Sequence, residues 1–233
     1  MNGSFNKILI IRNKVFKIEK VVDSYSHNVL ANIDSDHKKY YEDLKKIKID
    51  VAKLYYDKKI FGKNVEVQES IKGINLSHYM DNKKIPIEKK INMLKKLLII
   101  YKKTINEDVS LDLNMKNFII SENKLIYIDL VPAIYKSLVP KDDIEKDEYI
   151  NYYLNINLAI ANIINYFLRS IIYLPKYKLK EILKKVKIMI KELLDINLDM
   201  SKNKKANLIN EYIYGNMSYQ EYEEIYQNIK RRW

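Results

Sequence analysis

The sequence predicts an α+β fold, with a small strand-rich lobe over residues 1–72 and a larger, mainly helical lobe over residues 73–233. Three observations carry that expectation. Short β-branched runs separated by turn residues fill the first part, and apolar stripes at helical spacing fill most of the rest. Between two helical stretches, residues 109–131 (VSLDLNMKNFIISENKLIYIDLV) form an island of hairpin texture.

The elements follow in order. Residues 7–12 (KILIIR) are short, apolar and β-branched, as strands are. Asn13 and Lys14 mark a turn. Residues 15–22 (VFKIEKVV) alternate apolar and charged side chains, the pattern of a half-buried strand. Residues 34–47 place Tyr40, Tyr41, Leu44 and Ile47 at helical spacing, with Asp34 or Ser35 as the N-cap. Two further strands are expected at 51–56 and 64–71, around Phe61-Gly62-Lys63. Gly73 ends this block and is read as the residue that lets the chain bend between lobes. Residues 87–105 form a strong amphipathic helix, with Ile91, Met93, Leu94, Leu97, Leu98 and Tyr101 on one side. Three more helical stretches are expected at 149–173, 176–195 and 205–230.

Composition narrows the function classes. A chain of 233 residues can bury a sizeable core. It has no cysteine, which excludes disulfides and thiolate metal sites. The first residues lack the pattern of a signal peptide, and no apolar stretch approaches the roughly 20 residues that span a bilayer. A soluble cytoplasmic protein without a membrane partner is therefore expected. The net charge is +12, yet arginine occurs only at Arg12, Arg169, Arg231 and Arg232. A lysine excess alongside abundant Ile, Asn and Tyr is the bias of an AT-rich genome. A phosphate-reading nucleic-acid surface would lean on arginine as well. Nucleic acid is not the expected partner, although a groove for a polyphosphate gains from positive potential. There is no G-x-x-x-x-G-K-[ST] or G-x-G-x-x-G motif. His27, His37 and His78 lack zinc-site spacing and are expected to be surface or partly packed residues.

The chemistry concentrates in the island. Two apolar runs, 118–120 and 125–128, flank Ser121-Glu122-Asn123-Lys124, which is a hairpin signature. Asp112 and Asn117 lie just before the first strand, and Asp129 ends the second. Antiparallel pairing puts the start of one strand beside the end of the other, so three oxygen-bearing side chains converge. Such hard oxygens suit Mg²⁺ bound together with substrate phosphates.

The run DLNMKN at 112–117, the hairpin, and then Ile128-Asp129-Leu130 resemble the protein-kinase-like superfamily, closest to the aminoglycoside and choline phosphotransferase type of small-molecule kinase. The resemblance implies a bilobal kinase-like fold and phosphoryl transfer from ATP with Mg²⁺ to a hydroxyl of a small-molecule acceptor. It implies Asp112 as catalytic base and Asn117 and Asp129 as metal ligands, with Asn114 near the phosphates. Residues 67–76 (VQESIKGINL) resemble the linker between kinase lobes, which would set the backbone of Glu69, Ser70 and Ile71 against the adenine edge. Residues 2–18 resemble a phosphate loop, at 2–6, and the strands after it, which would make Lys17 the lysine that meets the α and β phosphates. Its acidic partner is then expected on the next helix, at Asp36 or Glu42. Ser110 and Leu111 stand where protein kinases carry His and Arg, and no A-P-E follows. A compact atypical protein kinase and a catalytically inactive, pseudokinase-like binding module are the alternatives.

Overall fold

The computed structural model describes residues 6–19, 37–60, 63–130, 134–138 and 154–231, in an α+β arrangement. The chain divides into two compact units. One comprises 2–76 with 103–154, and the other 77–102 with 155–233.

In the first unit, β1 (Asn6–Ile11), β2 (Lys14–Glu19), β3 (Leu54–Ile60) and β4 (Lys63–Glu69) form one antiparallel sheet in the order β1-β2-β4-β3. The β1–β2 turn is tight because Arg12 adopts a left-handed conformation, with φ of 55°. In β2 and β4, Lys17 stands directly opposite Glu66. The next strand sets Asp57 opposite Glu66 as well. Helix α1 (His37–Lys46) precedes β3 and buries Tyr40, Tyr41 and Leu44, three of the four positions read from its spacing.

The third strand starts later than the expected residue 51. The backbone there is taken by the hairpin instead. Ala52 N–H donates to the Tyr127 carbonyl at 2.9 Å, and Tyr127 N–H donates to the Asp50 carbonyl at 2.8 Å. Alternation of side chains does not reveal which strand claims a backbone edge.

The island folds as a hairpin. Strands β5 (Ile74–Asn75), β7 (Phe118–Ser121) and β8 (Lys124–Tyr127) make a three-stranded sheet, and β6 (Val109–Ser110) pairs with β9 (Ile134–Tyr135). Glu122 and Asn123 both have positive φ, 47° and 63°, as a two-residue primed turn requires. Gly73 lies in a bend, and it has a second role. A Cβ there would sit 2.2 Å from the Ile120 carbonyl oxygen and 2.7 Å from Ile119 Cγ2. The glycine lets β5 approach β7.

The second unit is helical. After α2 (Leu76–Asp81), it contains α3 (Ile87–Lys102), α4 (Ile156–Ser170), α5 (Lys176–Leu194), α6 (Lys204–Tyr214) and α7 (Tyr219–Arg231). Helix α3 packs on α5, and α6 packs on α4, α5 and α7. The expected single helix over 205–230 is two. A Cβ at Gly215 would lie 2.6 Å from the Glu211 carbonyl oxygen. Beyond it, Ser218 and Glu221 form a reciprocal capping box, with Ser218 N–H to Glu221 Oε2 at 2.7 Å and Glu221 N–H to Ser218 Oγ at 3.2 Å. The S-x-x-E spelling was present in the sequence to signal this start. No helix among the described residues is long and apolar enough to cross a membrane.

Helix α3 carries Lys90 on its apolar stripe, fully buried, where Ile91 was expected to face inward. The ammonium has no hydrogen-bond partner among the described residues, and the Tyr173 ring lies 5.9 Å away. Burial lowers its pKa from the ordinary 10.5, with the charge of Asp81 opposing. The charged form is therefore the costly one in the folded state. Lys90→Met is expected to raise stability at neutral pH by about 1–3 kcal/mol. The advantage shrinks as pH rises toward 10.5. Urea unfolding of both chains at pH 7 and pH 10 checks it.

Candidate active site

The site is built on alternation. From residue 111 to 118, Leu111, Leu113, Met115 and Phe118 are buried, while Asp112, Asn114 and Asn117 lie between them with part of their surface exposed. Burying each of these apolar side chains contributes about 1.5–3 kcal/mol, so four anchors hold the polar groups of a short loop in place. Tyr127 and Leu130 do the same on either side of Asp129.

Local hydrogen bonds shape the loop. Asp112 Oδ1 accepts the Asn114 amide at 2.9 Å, and Asn114 Oδ1 accepts the Lys116 amide at 3.1 Å. Asn114 thereby caps the single 3₁₀ turn at Met115–Asn117. Asn117 Nδ2 donates to the Asp112 carbonyl at 3.4 Å. That bond uses the nitrogen of the carboxamide and not its oxygen. The Ile128 amide donates to the Asn117 carbonyl at 2.9 Å. The hairpin thus pairs the backbone of Asn117 with Ile128, the residue before Asp129.

Lys17 reaches this place from β2. Its Nζ lies 2.5 Å from the Ile128 carbonyl oxygen, 3.6 Å from Asp129 Oδ1 and 3.1 Å from Glu66 Oε1. The structure therefore brings Lys17, Asp112, Asn114, Asn117 and Asp129 together in one compact unit. Of the two acidic partners expected for this lysine, Glu42 is exposed on α1, and Asp36 lies outside the described residues. Among the described residues, its acidic partner besides Asp129 is Glu66, on the neighbouring strand. Glu66 is 2% exposed, and burial raises its pKa, with Lys17 opposing. Its contact with Lys17 is an ion pair off the hydrogen-bonding direction, because neither carboxylate oxygen has an aligned donor among the described residues.

Residues 2–5 of the expected phosphate loop lie outside the described residues, and Asn6 opens β1. In the strip 69–71, Glu69 N–H donates to the Lys53 carbonyl and Ser70 N–H to the Asn13 carbonyl, each at 2.8 Å. Two of its three amides are committed inside the protein. Glu69, Ser70 and Ile71 are all half-buried.

Hard oxygens make up the donor set, which suits Mg²⁺ held by few protein ligands together with phosphate and water. Among the described residues no group of three His, Cys, Asp or Glu side chains forms a closed metal cage. The negative potential of the site reaches its surroundings. Tyr40 and Tyr127 are buried phenols whose pKa values are raised by burial first, and further by Asp112 and Asp129.

Two further residues hold the frame and were missed in the sequence, where they read only as helix and strand tyrosines. The Tyr40 hydroxyl donates to the Ser110 carbonyl at 2.5 Å, two residues before Asp112. The Tyr135 hydroxyl donates to Asp43 Oδ2 at 3.0 Å. Asp43 also contacts Lys39 and Lys46 at 2.7 Å each. Hydrogen bonds from Lys39 and then Lys46 lower the Asp43 pKa from 3.8 to about 2. The stabilisation is complete above about pH 5 and is lost as pH falls through the interval from 3.8 to about 2. Asp43→Asn should destabilise the chain at pH 7, and the difference from wild type should vanish in acid melts near pH 2. Gly73→Ala is expected to cost about 1–3 kcal/mol by forcing β5 from β7. Thermal melts and amide exchange of Ile119 and Ile120 read that loss.

No protein-family model matches the sequence, and no curated protein matches it.

Proposed function

We propose that this chain is an ATP- and Mg-dependent phosphotransferase acting on a hydroxyl of a small molecule. The observation that carries the reading is the lysine of a β-sheet set 3.6 Å from the aspartate that ends the hairpin, with Asn117 alongside. This supports a cation for phosphate beside Asp129, with Asn117 paired to the neighbouring Ile128 through the backbone. The sequence resemblance to small-molecule kinases of the protein-kinase-like superfamily, with its bilobal fold, supports the same reading.

In this reading each residue has one task. Asp112 orients the acceptor hydroxyl and takes its proton as the oxygen attacks the terminal phosphorus. Lys17 grips the phosphates that remain with the nucleotide. Asn117 and Asp129 would hold Mg²⁺, which supplies neutralisation of the phosphoryl charge. The Asn114 side chain orders the loop that carries Asp112. With the Glu69 and Ser70 amides committed, a base edge would be met by the strip's carbonyls and the Ile71 amide.

Calorimetry of ATP with and without Mg²⁺ tests the reading on wild type, Asp129→Ala and Asp112→Ala. Mg-dependent binding is expected in wild type and in Asp112→Ala, and a loss of at least tenfold in Asp129→Ala. Turnover of a small-alcohol panel should fall at least 100-fold in Asp112→Ala. Absence of nucleotide binding by wild type overturns the enzyme reading in favour of a partner-binding module. Phosphate transfer to protein rather than to small alcohols replaces the acceptor class.

A further inference from the structure

Glu66 stands in an unusual row. Directly opposite it are Lys17 on one side and Asp57 on the other, all on the same face of the sheet. Two carboxylates directly opposite each other repel, and a buried carboxylate is costly unless a cation faces it. Lys17 is one such cation, but it is shared with Asp129 and with the Ile128 carbonyl. A histidine lies at the far end of the row. His37, on α1, was expected to be a surface or partly packed residue; it is 5% exposed, and its Nδ1 is 3.3 Å from Asp57 Oδ1. The charge of His37 favours the ionised form of Glu66, while that of Asp129 opposes it. The row thus reads lysine, glutamate, aspartate, histidine across three strands and a helix.

We propose that His37 and Asp57 are positioning residues. Protonated His37, held by Asp57, keeps Glu66 a carboxylate, and that carboxylate keeps the Lys17 ammonium aimed at the hairpin. Without the outer cation, Glu66 has Asp57 beside it, Asp129 nearby and one shared lysine. Its neutral form then competes, and the lysine loses the partner that fixes its direction. The proposal rests on the phosphotransferase reading only for the meaning of Lys17's direction. The row itself does not depend on it. Among the described residues, the charged and titratable groups of the row and beside it are Lys17 from β2, Asp57 from β3, Glu66 from β4, His37 from α1 and Asp129 after β8.

Competitive acylation of the full chain with an isotopically labelled anhydride, read by mass spectrometry, tests it without nucleotide. The readout is the rate at Lys17 divided by the rate at exposed helix lysines such as Lys184. A lysine released from a carboxylate reacts faster. Glu66→Gln sets the upper limit. His37→Gln is expected to raise the ratio at least threefold, and His37→Lys, which restores the cation, to return it toward wild type. The proposal is overturned if Glu66→Gln raises the ratio while His37→Gln leaves it unchanged. It is equally overturned if His37→Lys behaves like His37→Gln, since then shape and not charge matters. A variant that unfolds also raises the rate at the fully buried Lys90 and is recognised by that. In such a case His37→Asn, with His37→Arg as its rescue, decides the question. Because no nucleotide enters, the result stands whether or not the chain binds ATP.

Discussion

A buried ammonium governs the site. Lys17 has left water almost completely, and it is tolerated because Glu66, Asp129 and the Ile128 carbonyl surround it. Removing a charge from water costs several kcal/mol and is recovered only by close, well-directed partners. The partners come from two places, the adjacent strand and the end of the hairpin. One side chain therefore ties the β1–β4 sheet to residues 128 and 129. It also sets the direction of the Asp129 carboxylate, on which any metal role depends.

The rest of the frame works by dividing labour between apolar and polar groups. Leu111, Leu113, Met115, Phe118, Tyr127 and Leu130 are buried to within a few per cent and supply the holding energy. The polar residues between them then need only local hydrogen bonds to take a shape. Helix α1 is fastened to the same frame at two points, by Tyr40 to the Ser110 carbonyl and by Asp43 to Tyr135. Both ties run to the short β6–β9 ribbon, whose strands flank the sequence that carries Asp112 and Asp129. A shift of α1 would therefore be felt at the loop.

Much of this was legible from the chain. The hairpin, the place of Asp112 and Asn117 before its first strand and of Asp129 after its second, and most of the inward face of α3 all follow from periods of 2 and 3.6 residues and from turn residues. Local spacing encodes such features, because the residues involved are neighbours along one element. Other expectations needed correction. Asp36 or Glu42 was expected to pair with Lys17, but a helix face is settled by what packs on it, and Glu42 is exposed. Gly73 does lie in a bend, and its lack of a side chain also serves the close approach of Ile120, which spacing does not show. The C-terminal stretch looked like one helix because both halves share an apolar period, although the capping box at Ser218 was spelled in the sequence.

What the sequence determined by itself was therefore the inventory: an α+β chain, a hairpin bearing two aspartates and an asparagine, and a strand lysine among many others. What only the tertiary structure decided was pairing. Strand register placed Glu66 between Lys17 and Asp57, and the packing of α1 brought His37 to Asp57. These residues lie 9 to 49 positions apart along the chain. Attraction between charges depends on distance in space and on the water removed around them. Neither quantity exists until the strands have paired.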